Sequence, residues 1–344
     1  GLSLWGMIGV GWVTAPSGLF RCVRCDILIR DRGRRWRCGK SEGDGSTTSA
    51  VEILSRATVE FSEAHTPEPR LSAEYLLASV LGISRRELLV QGGRLEIDRR
   101  QRNRFIELCL RRRRDREPVQ YLVGDWDFHA ITLLMRKPVL IPRPETEELV
   151  DLILKDFPLR HKGRAPRSIL DIGCGSGAIG LALANHFTNS CVTFLDLSPD
   201  AIQLTRQNAT RILGPSWHER TLIVQGDIAT FKPPSTSTSF DLIVSNPPYI
   251  PTVDLEALAP EVVMHEDRLA LDGGKDGMDV IRIILSRLSD LAGSSPFSDL
   301  WLELDPSHPI LLGNMSTLAS HPFRTFYNDF SGHSRFCVFS SDSD

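Results

Sequence analysis

The chain has no excess of positive charge. Among its 344 residues, 40 lysines and arginines face 43 aspartates and glutamates, for a formal charge of -3, which argues against a protein held on nucleic acid by charge alone. It has no run suited to spanning a bilayer either. The first twenty residues are uncharged but carry five glycines, whose backbone freedom opposes a spanning helix, so no membrane partner is expected. Its cysteines do not pair off: seven are spread from Cys22 to Cys337, as befits reduced thiols rather than a disulfide framework. Cys22-Val23-Arg24-Cys25 with Cys38 wants a fourth well-placed ligand, and no metal is expected. The most informative absence is local. Between Asp171 and Thr205 there is no lysine or arginine, so a phosphate arriving there would find no cationic side chain.

What is present begins in that same stretch. Ser168 to Ile172 reads as a buried strand, Gly173-Cys174-Gly175-Ser176-Gly177 as a tight turn that lets backbone approach a ligand, and Ala178 onward as a helix. Gly175, Gly177 and Gly180 satisfy the dinucleotide spacing G-x-G-x-x-G, and Asp196 ends the next strand, Cys191 to Asp196, where a ribose-binding acid belongs. Charge separates a dinucleotide from its alternative. Asp171 stands at the mouth of the turn, where a carboxylate repels a pyrophosphate but attracts the sulfonium and ammonium of S-adenosylmethionine. S-adenosylmethionine is the expected ligand. A plain capping role for Asp171 is compatible with the same pocket.

Ser245-Asn246-Pro247-Pro248-Tyr249 follows the apolar run Phe240-Asp241-Leu242-Ile243-Val244. A short buried strand closed by two prolines ends abruptly, and ligands of open α/β sheets bind outside the carboxyl ends of their strands. The prolines remove two donors, so the Asn246 oxygen and the Pro247 carbonyl make an acceptor-rich site suited to a planar NH2 group, with Tyr249 adding an aromatic face. A bare Pro-Pro turn is the plainer alternative.

The remaining chain supplies the frame. Residues 1–46 combine Arg21, Arg24, Arg30, Arg32, Arg34, Arg35 and Arg37 with few acids ahead of a Gly/Ser/Thr stretch, which resembles an organelle transit peptide. A leader foreign to the natural protein is the alternative. Residues 47–117 read as a helical module: Val51, Leu54, Thr58 and Phe61 share one helical row, Gly82 stops a second helix, and Ser84 with Glu87 has capping-box spacing. A third helix, about Asp98 to Arg116, carries nine arginines, read as a solvated face in preference to an RNA or acidic-partner surface. In 118–145, Val119, Tyr121 and Val123 alternate, and Phe128, Ile131, Leu133 and Val139 to Ile141 suggest short strands, a hairpin-like linker. A helix starts at Thr146, Glu147 and Glu148, with Glu145 and Glu147 as helix-start acids or as one wall of the cofactor site. Thr221 to Gln225 is a strand ending at Asp227 and Ile228, placed to meet an adenine amine and ring. Pro251 to Asp272 is a long loop read as a lid. Ile281 to Leu291 is helical, Leu300 to Leu304 a strand carrying Glu303, and Phe323 to Phe339 a strand pair.

Leu140-Ile141-Pro142-Arg143-Pro144-Glu145-Thr146-Glu147, the 171–179 turn and Ser245-Asn246-Pro247-Pro248-Tyr249-Ile250, in this order, resemble the HemK/PrmC family of protein-(glutamine-N5) methyltransferases. Leu269 to Gly274 and Phe336 to Phe339 extend the likeness. The resemblance implies an α/β fold, a Rossmann-like seven-stranded class I methyltransferase domain over 146–344, behind a small helical bundle that helps hold a peptide chain release factor. It implies that Asp171, Ile172, Gly173, Cys174 and Gly175 form the methionine-side turn, Asp196 binds the ribose, Asp227 and Ile228 contact adenine, and Asn246 lies beside the cofactor as well. It implies that Asn246, Pro247, Pro248 and Tyr249 hold the glutamine of the factor's Gly-Gly-Gln loop, with catalysis resting on Asn246, Pro247 and Tyr249. Leu304-Asp305-Pro306 departs from relatives that place a glycine soon after the strand's glutamate. With the Arg-rich leader, a mitochondrial matrix location is expected and no stable nucleic-acid partner. A nucleic-acid amino methyltransferase and a noncatalytic binding protein are the alternatives.

Overall fold

The computed structural model describes residues 48–233, 239–293, 295, 297–313 and 322–341, together with the backbone of 12–15, 19–22 and 28–30. Most of the expected leader, and the Cys22, Cys25 and Cys38 thiols, lie outside the described residues. The chain divides into two compact units, 1–109 and 110–344.

In the first unit the strands β1 (Trp12–Ala15), β2 (Leu19–Cys22) and β3 (Leu28–Arg30) pair in that order, antiparallel. β4 (Thr48–Ser49) leads into α1 (Ala50–Glu63), α2 (Pro69–Leu81) and α3 (Arg85–Gln91), and pairs with β5 (Glu96–Ile97). The buried row of α1 is Ala50, Ile53, Ala57 and Phe61, whereas Val51 is exposed. The expected row is shifted by one residue because both rows satisfy three- and four-residue steps and share Phe61. Gly82 ends α2 in the left-handed conformation, and the Ser84–Glu87 capping box forms in both directions, Glu87 N to Ser84 Oγ at 3.1 Å and Ser84 N to Glu87 Oε2 at 2.8 Å. α4 (Arg99–Arg114) crosses the boundary between the units.

The second unit opens with α5 (Val119–Val123), the hairpin β6 (Asp125–Phe128) and β7 (Ile131–Leu134), and α6 (Pro144–Arg160). Alternation at Val119, Tyr121 and Val123 pointed to a strand, but Pro118 starts and Gly124 ends a short helix there, in which Val119, Tyr121 and Leu122 are buried. Val139 to Ile141 forms no strand: Val139 closes a turn onto the Arg136 carbonyl and the segment pairs in no ladder. Then come β8 (Ser168–Ile172), α7 (Ala178–His186), β9 (Cys191–Asp196), α8 (Pro199–Leu213), β10 (Thr221–Gln225) and β11 (Leu242–Ser245). α9 (Pro260–His265), α10 (Asp279–Ala292), β12 (Asp299–Glu303), α11 (His308–Gly313), β13 (Phe323–Asn328) and β14 (Ser334–Ser340) complete it.

Seven strands form one sheet in the order β10-β9-β8-β11-β12-β14-β13, parallel except for β14, which runs antiparallel to both neighbours. The chain leaves β8 toward one edge and returns to the other side of β8 as β11. That reversal opens the crevice between the carboxyl ends of β8 and β11. Side chains alternate across the strands, so Ile169, Leu242, Val244 and Trp301 pack under α6, α7 and α8, while Leu170, Ile243, Leu300 and Leu302 pack against α10. On β12 the α6-facing set is Asp299, Trp301 and Glu303. Asp299 meets His161 just past the end of α6, with Nε2 to Oδ2 3.2 Å and both side chains fully buried, and Glu303 meets Thr146 in its first turn, so β12 registers the length of α6.

Two expectations about surface elements are corrected here. The 251–272 segment is not a loose lid: it folds into short helical turns, including α9, and is tied down along its length. Arg112 and Arg116 both reach Glu261, at 3.1 and 2.9 Å, His265 Nε2 lies 2.7 Å from the Asp115 carbonyl, and Arg143 bonds the buried Glu266 at 2.7 Å. The arginine run is correspondingly not a bare solvated face, since Arg112 is buried and Arg111 forks onto Glu117 at 2.9 and 2.7 Å. Arg112→Ala is expected to cost about 3 kcal/mol, because it strips a buried carboxylate of one of its cations. The test is the denaturant midpoint; a midpoint equal to that of the parent would show the pair to be idle.

Candidate active site

The crevice is built from the two motif turns. Val244 pairs with Asp171 and Ser245 with Ile172, and Ser245 Oγ donates to the Ile172 carbonyl at 2.7 Å, so Asn246 emerges beside Gly173. Gly173, Gly175 and Gly177 have φ of 69°, 56° and 81°, which an L side chain rarely adopts. Gly180 is constrained differently: a Cβ there would lie 2.4 Å from the Phe194 ring and 2.8 Å from Asp171 Oδ2, so α7 can approach the sheet only through glycine.

Asp171 is fully enclosed. Its Oδ2 accepts from Gly180 N at 2.9 Å, a helix cap thrown across the turn, which realises the plainer of its two expected roles. Its Oδ1 has no hydrogen-bond partner among the described residues. Burial pushes its carboxyl up to about 7, the charge of Asp196 adding to the rise and the Gly180 amide opposing it. Asp196 accepts from Gly175 N at 2.8 Å and Ser198 N at 2.9 Å, which ties the end of β9 to the glycine turn. Burial raises its carboxyl as well, against those amide bonds. Cys174 is buried with Sγ 3.5 Å from Thr205 Oγ1. Asp227 is exposed and accepts from Ala229 N at 2.8 Å, while Ile228 is buried in the apolar cluster that also holds Leu195 and Phe231.

The acceptor motif is held from behind. Asn246 Nδ2 donates to Thr146 Oγ1 at 3.1 Å, Thr146 Oγ1 donates to Glu303 Oε2 at 2.8 Å, and Tyr249 OH donates to Glu303 Oε1 at 3.3 Å. Pro247 is buried and Pro248 half-buried. Glu145 and Glu147 both lie in the first turn of α6, as helix-start acids do. Glu147 accepts from His129 N at 2.9 Å and fixes the β6–β7 hairpin, and Glu148 accepts from Phe330 N at 3.0 Å. Thr146 and Glu303 are the residues whose part in the site sequence reasoning missed. The one signal was a carboxylate inside the apolar run Leu300-Trp301-Leu302-Glu303-Leu304.

Residues 52–124 match the PrmC N-terminal domain and residues 169–265 a methyltransferase domain. The human MTRF1L release factor glutamine methyltransferase is 40% identical over 299 residues, which cover 84% of this chain and 86% of that protein. The chain belongs to the release factor glutamine methyltransferase family. The namesakes from Deinococcus radiodurans, 37% identical over 267 residues, and Geobacter sulfurreducens, 40% over 229, cover 77% and 65% of this chain and 90% and 73% of their own lengths. For a release factor glutamine methyltransferase the crevice fits a sulfonium nucleoside: a turn with three left-handed glycines, a buried carboxylate oxygen on Asp171 without a partner among the described residues, and a second carboxylate on Asp196. No group of three or more possible metal ligands occurs among the described residues, and no helix there is long and apolar enough to cross a membrane.

Proposed function

We propose that this enzyme transfers a methyl group from S-adenosylmethionine to the side-chain amide nitrogen of the glutamine in the Gly-Gly-Gln loop of a peptide chain release factor. The observation that carries the reading is the adjacency of the Asn246-Pro247-Pro248-Tyr249 acceptor site to the glycine turn, across the β8–β11 crevice, in a chain of this family. S-adenosylmethionine supplies an electrophilic methyl group. The residues from Asp171 to Gly175 hold its methionine side, Asp196 its ribose, and Asp227 with Ile228 its adenine. Asn246 Oδ1 and the Pro247 carbonyl accept hydrogen bonds from the glutamine NH2, which directs the nitrogen into the crevice and favours the charge that develops on it; the S–CH3 bond would break as the N–CH3 bond forms, and one amide hydrogen would leave as a proton. Tyr249 packs its ring beside the amide. The Arg-rich stretch ahead of residue 47 supports work in the mitochondrial matrix.

The roles separate by measurement. Asp196→Ala is expected to raise the Kd for S-adenosylmethionine about tenfold or more, since hydrogen bonds to a charged group are lost, while the release-factor KM stays put. An unmoved Kd would remove Asp196 from the cofactor site. The reading as a whole is tested by offering the enzyme radiolabelled S-adenosylmethionine with a bacterial-type release factor or with naked RNA or DNA. Label entering the factor alone is expected; label entering nucleic acid alone would make it an amino-group methyltransferase of bases.

A further inference from the structure

We infer that Thr146 and Glu303 are positioning residues that decide which end of the Asn246 amide faces the substrate. The inference rests on the proposed reaction and adds two residues from α6 and β12 to it. An ionised carboxylate can only accept, so Glu303 obliges both hydroxyls that touch it, Thr146 at 2.8 Å and Tyr249 at 3.3 Å, to donate. Thr146 then has no hydrogen left, and its oxygen accepts from Asn246 Nδ2 at 3.1 Å. With its NH2 turned to α6, Asn246 presents its oxygen on the opposite side. One buried charge thus orients two side chains of the acceptor motif.

The chain of donors has a protonation state. Burial pushes the Glu303 carboxyl up to about 7; Glu145 on α6 adds to the rise, and Arg335 on β14 opposes it, as do the Thr146 and Tyr249 hydroxyls. Above that pH the carboxylate fixes the order just described. Below it the acid can donate to Thr146, whose freed hydrogen can turn to the Asn246 oxygen, and the site loses its acceptor. Activity should therefore rise with pH through about 7. Asp171 titrates in the same range, so the variants carry the test rather than the limb alone.

The experiment uses the full chain as wild type, Thr146→Ser, Thr146→Val and Glu303→Gln. It measures kcat against pH with a release factor, calorimetric Kd for S-adenosylhomocysteine, and Kd for a Gly-Gly-Gln peptide in the presence of S-adenosylhomocysteine. Thr146→Val keeps shape but removes the hydroxyl; its kcat should fall at least about tenfold, its peptide Kd should weaken, and its S-adenosylhomocysteine Kd should not move. Thr146→Ser should restore most of the loss. Glu303→Gln, whose amide can donate to Thr146 at every pH, should be slow throughout and lose its part of the acidic limb. A Thr146→Val enzyme with parental kcat and peptide Kd overturns the inference. So does a Thr146→Ser enzyme as impaired as Thr146→Val, or parallel loss of S-adenosylhomocysteine binding. A wild-type chain that methylates no release factor overturns the proposed function itself, and is told apart because the parent then fails too.

Discussion

Asn246→Ala is expected to lower kcat for release-factor methylation by about 10²- to 10³-fold, the range seen when one preorganised polar group is removed from a reacting centre. An amide nitrogen is a poor nucleophile because its lone pair is delocalised into the carbonyl, so most of what the site can do is hold it in line and accept its hydrogens. Asn246 is suited to that by its place. It follows β11 directly, in a sheet position fixed by the Ser245–Ile172 hydrogen bond, and its amide is oriented through Thr146. The cofactor turn depends on other atoms, namely Gly175 N to Asp196 and Gly180 N to Asp171. Binding of S-adenosylmethionine to the variant, followed by calorimetry, should be close to parental. Equal losses in kcat and cofactor affinity would mean that Asn246 serves the pocket and not the amide.

Gly277→Ala should be the most damaging substitution outside the crevice. The 271–279 segment lies against the back of the acceptor motif: Ile250 N donates to the Leu271 carbonyl at 3.0 Å, Gly273 N to the Ile250 carbonyl at 2.8 Å, and Thr252 N to the Gly274 carbonyl at 2.9 Å. Gly277 has φ of 77°, and a Cβ on it would lie 2.3 Å from the Tyr249 carbonyl and 2.7 Å from the buried His308 ring. Backbone on one side and a packed ring on the other leave nothing flexible to give way. The variant should lose about 3 kcal/mol of stability, left-handed strain and overpacking together, and its kcat should fall because the segment after β11 that carries Asn246 and Tyr249 must move. Gly124→Ala is the control, since Gly124 is left-handed with φ of 84° and open space around it and should cost only about 1 kcal/mol. Two variants of equal stability would show that the close packing behind Tyr249 does not matter.

The frame of the catalytic sheet was legible because each strand is short, apolar and punctuated. Cys191–Asp196 and Thr221–Gln225 are found where the residues predict them, and β8 ends at Ile172 where the glycines begin. Period failed where an element spans only a turn or two. Five residues from Val119 to Val123 alternate like a strand, yet Pro118 and Gly124 bound a helix there. The 251–272 segment looked like a lid because its anchors, Arg112, Arg116 and Arg143, are more than a hundred residues away in sequence. Charge gave the ligand class through the missing cations around the glycine turn, but it could not tell that one Asp171 oxygen is taken by Gly180. The link from Thr146 to Glu303 crosses 157 positions and was invisible for the same reason. Local chemistry proposed the acceptors; the register of α6 along β12 shows which groups hold Asn246 from behind.

The most direct measurement is methyl transfer to two release factors that differ at one residue, the natural protein and a copy with the Gly-Gly-Gln glutamine replaced by alanine, followed by mass spectrometry of the loop peptide. The account predicts one added methyl group on the glutamine side chain of the first and none on the second. Equal methylation of both, or a methyl group mapped elsewhere in the factor, would contradict it.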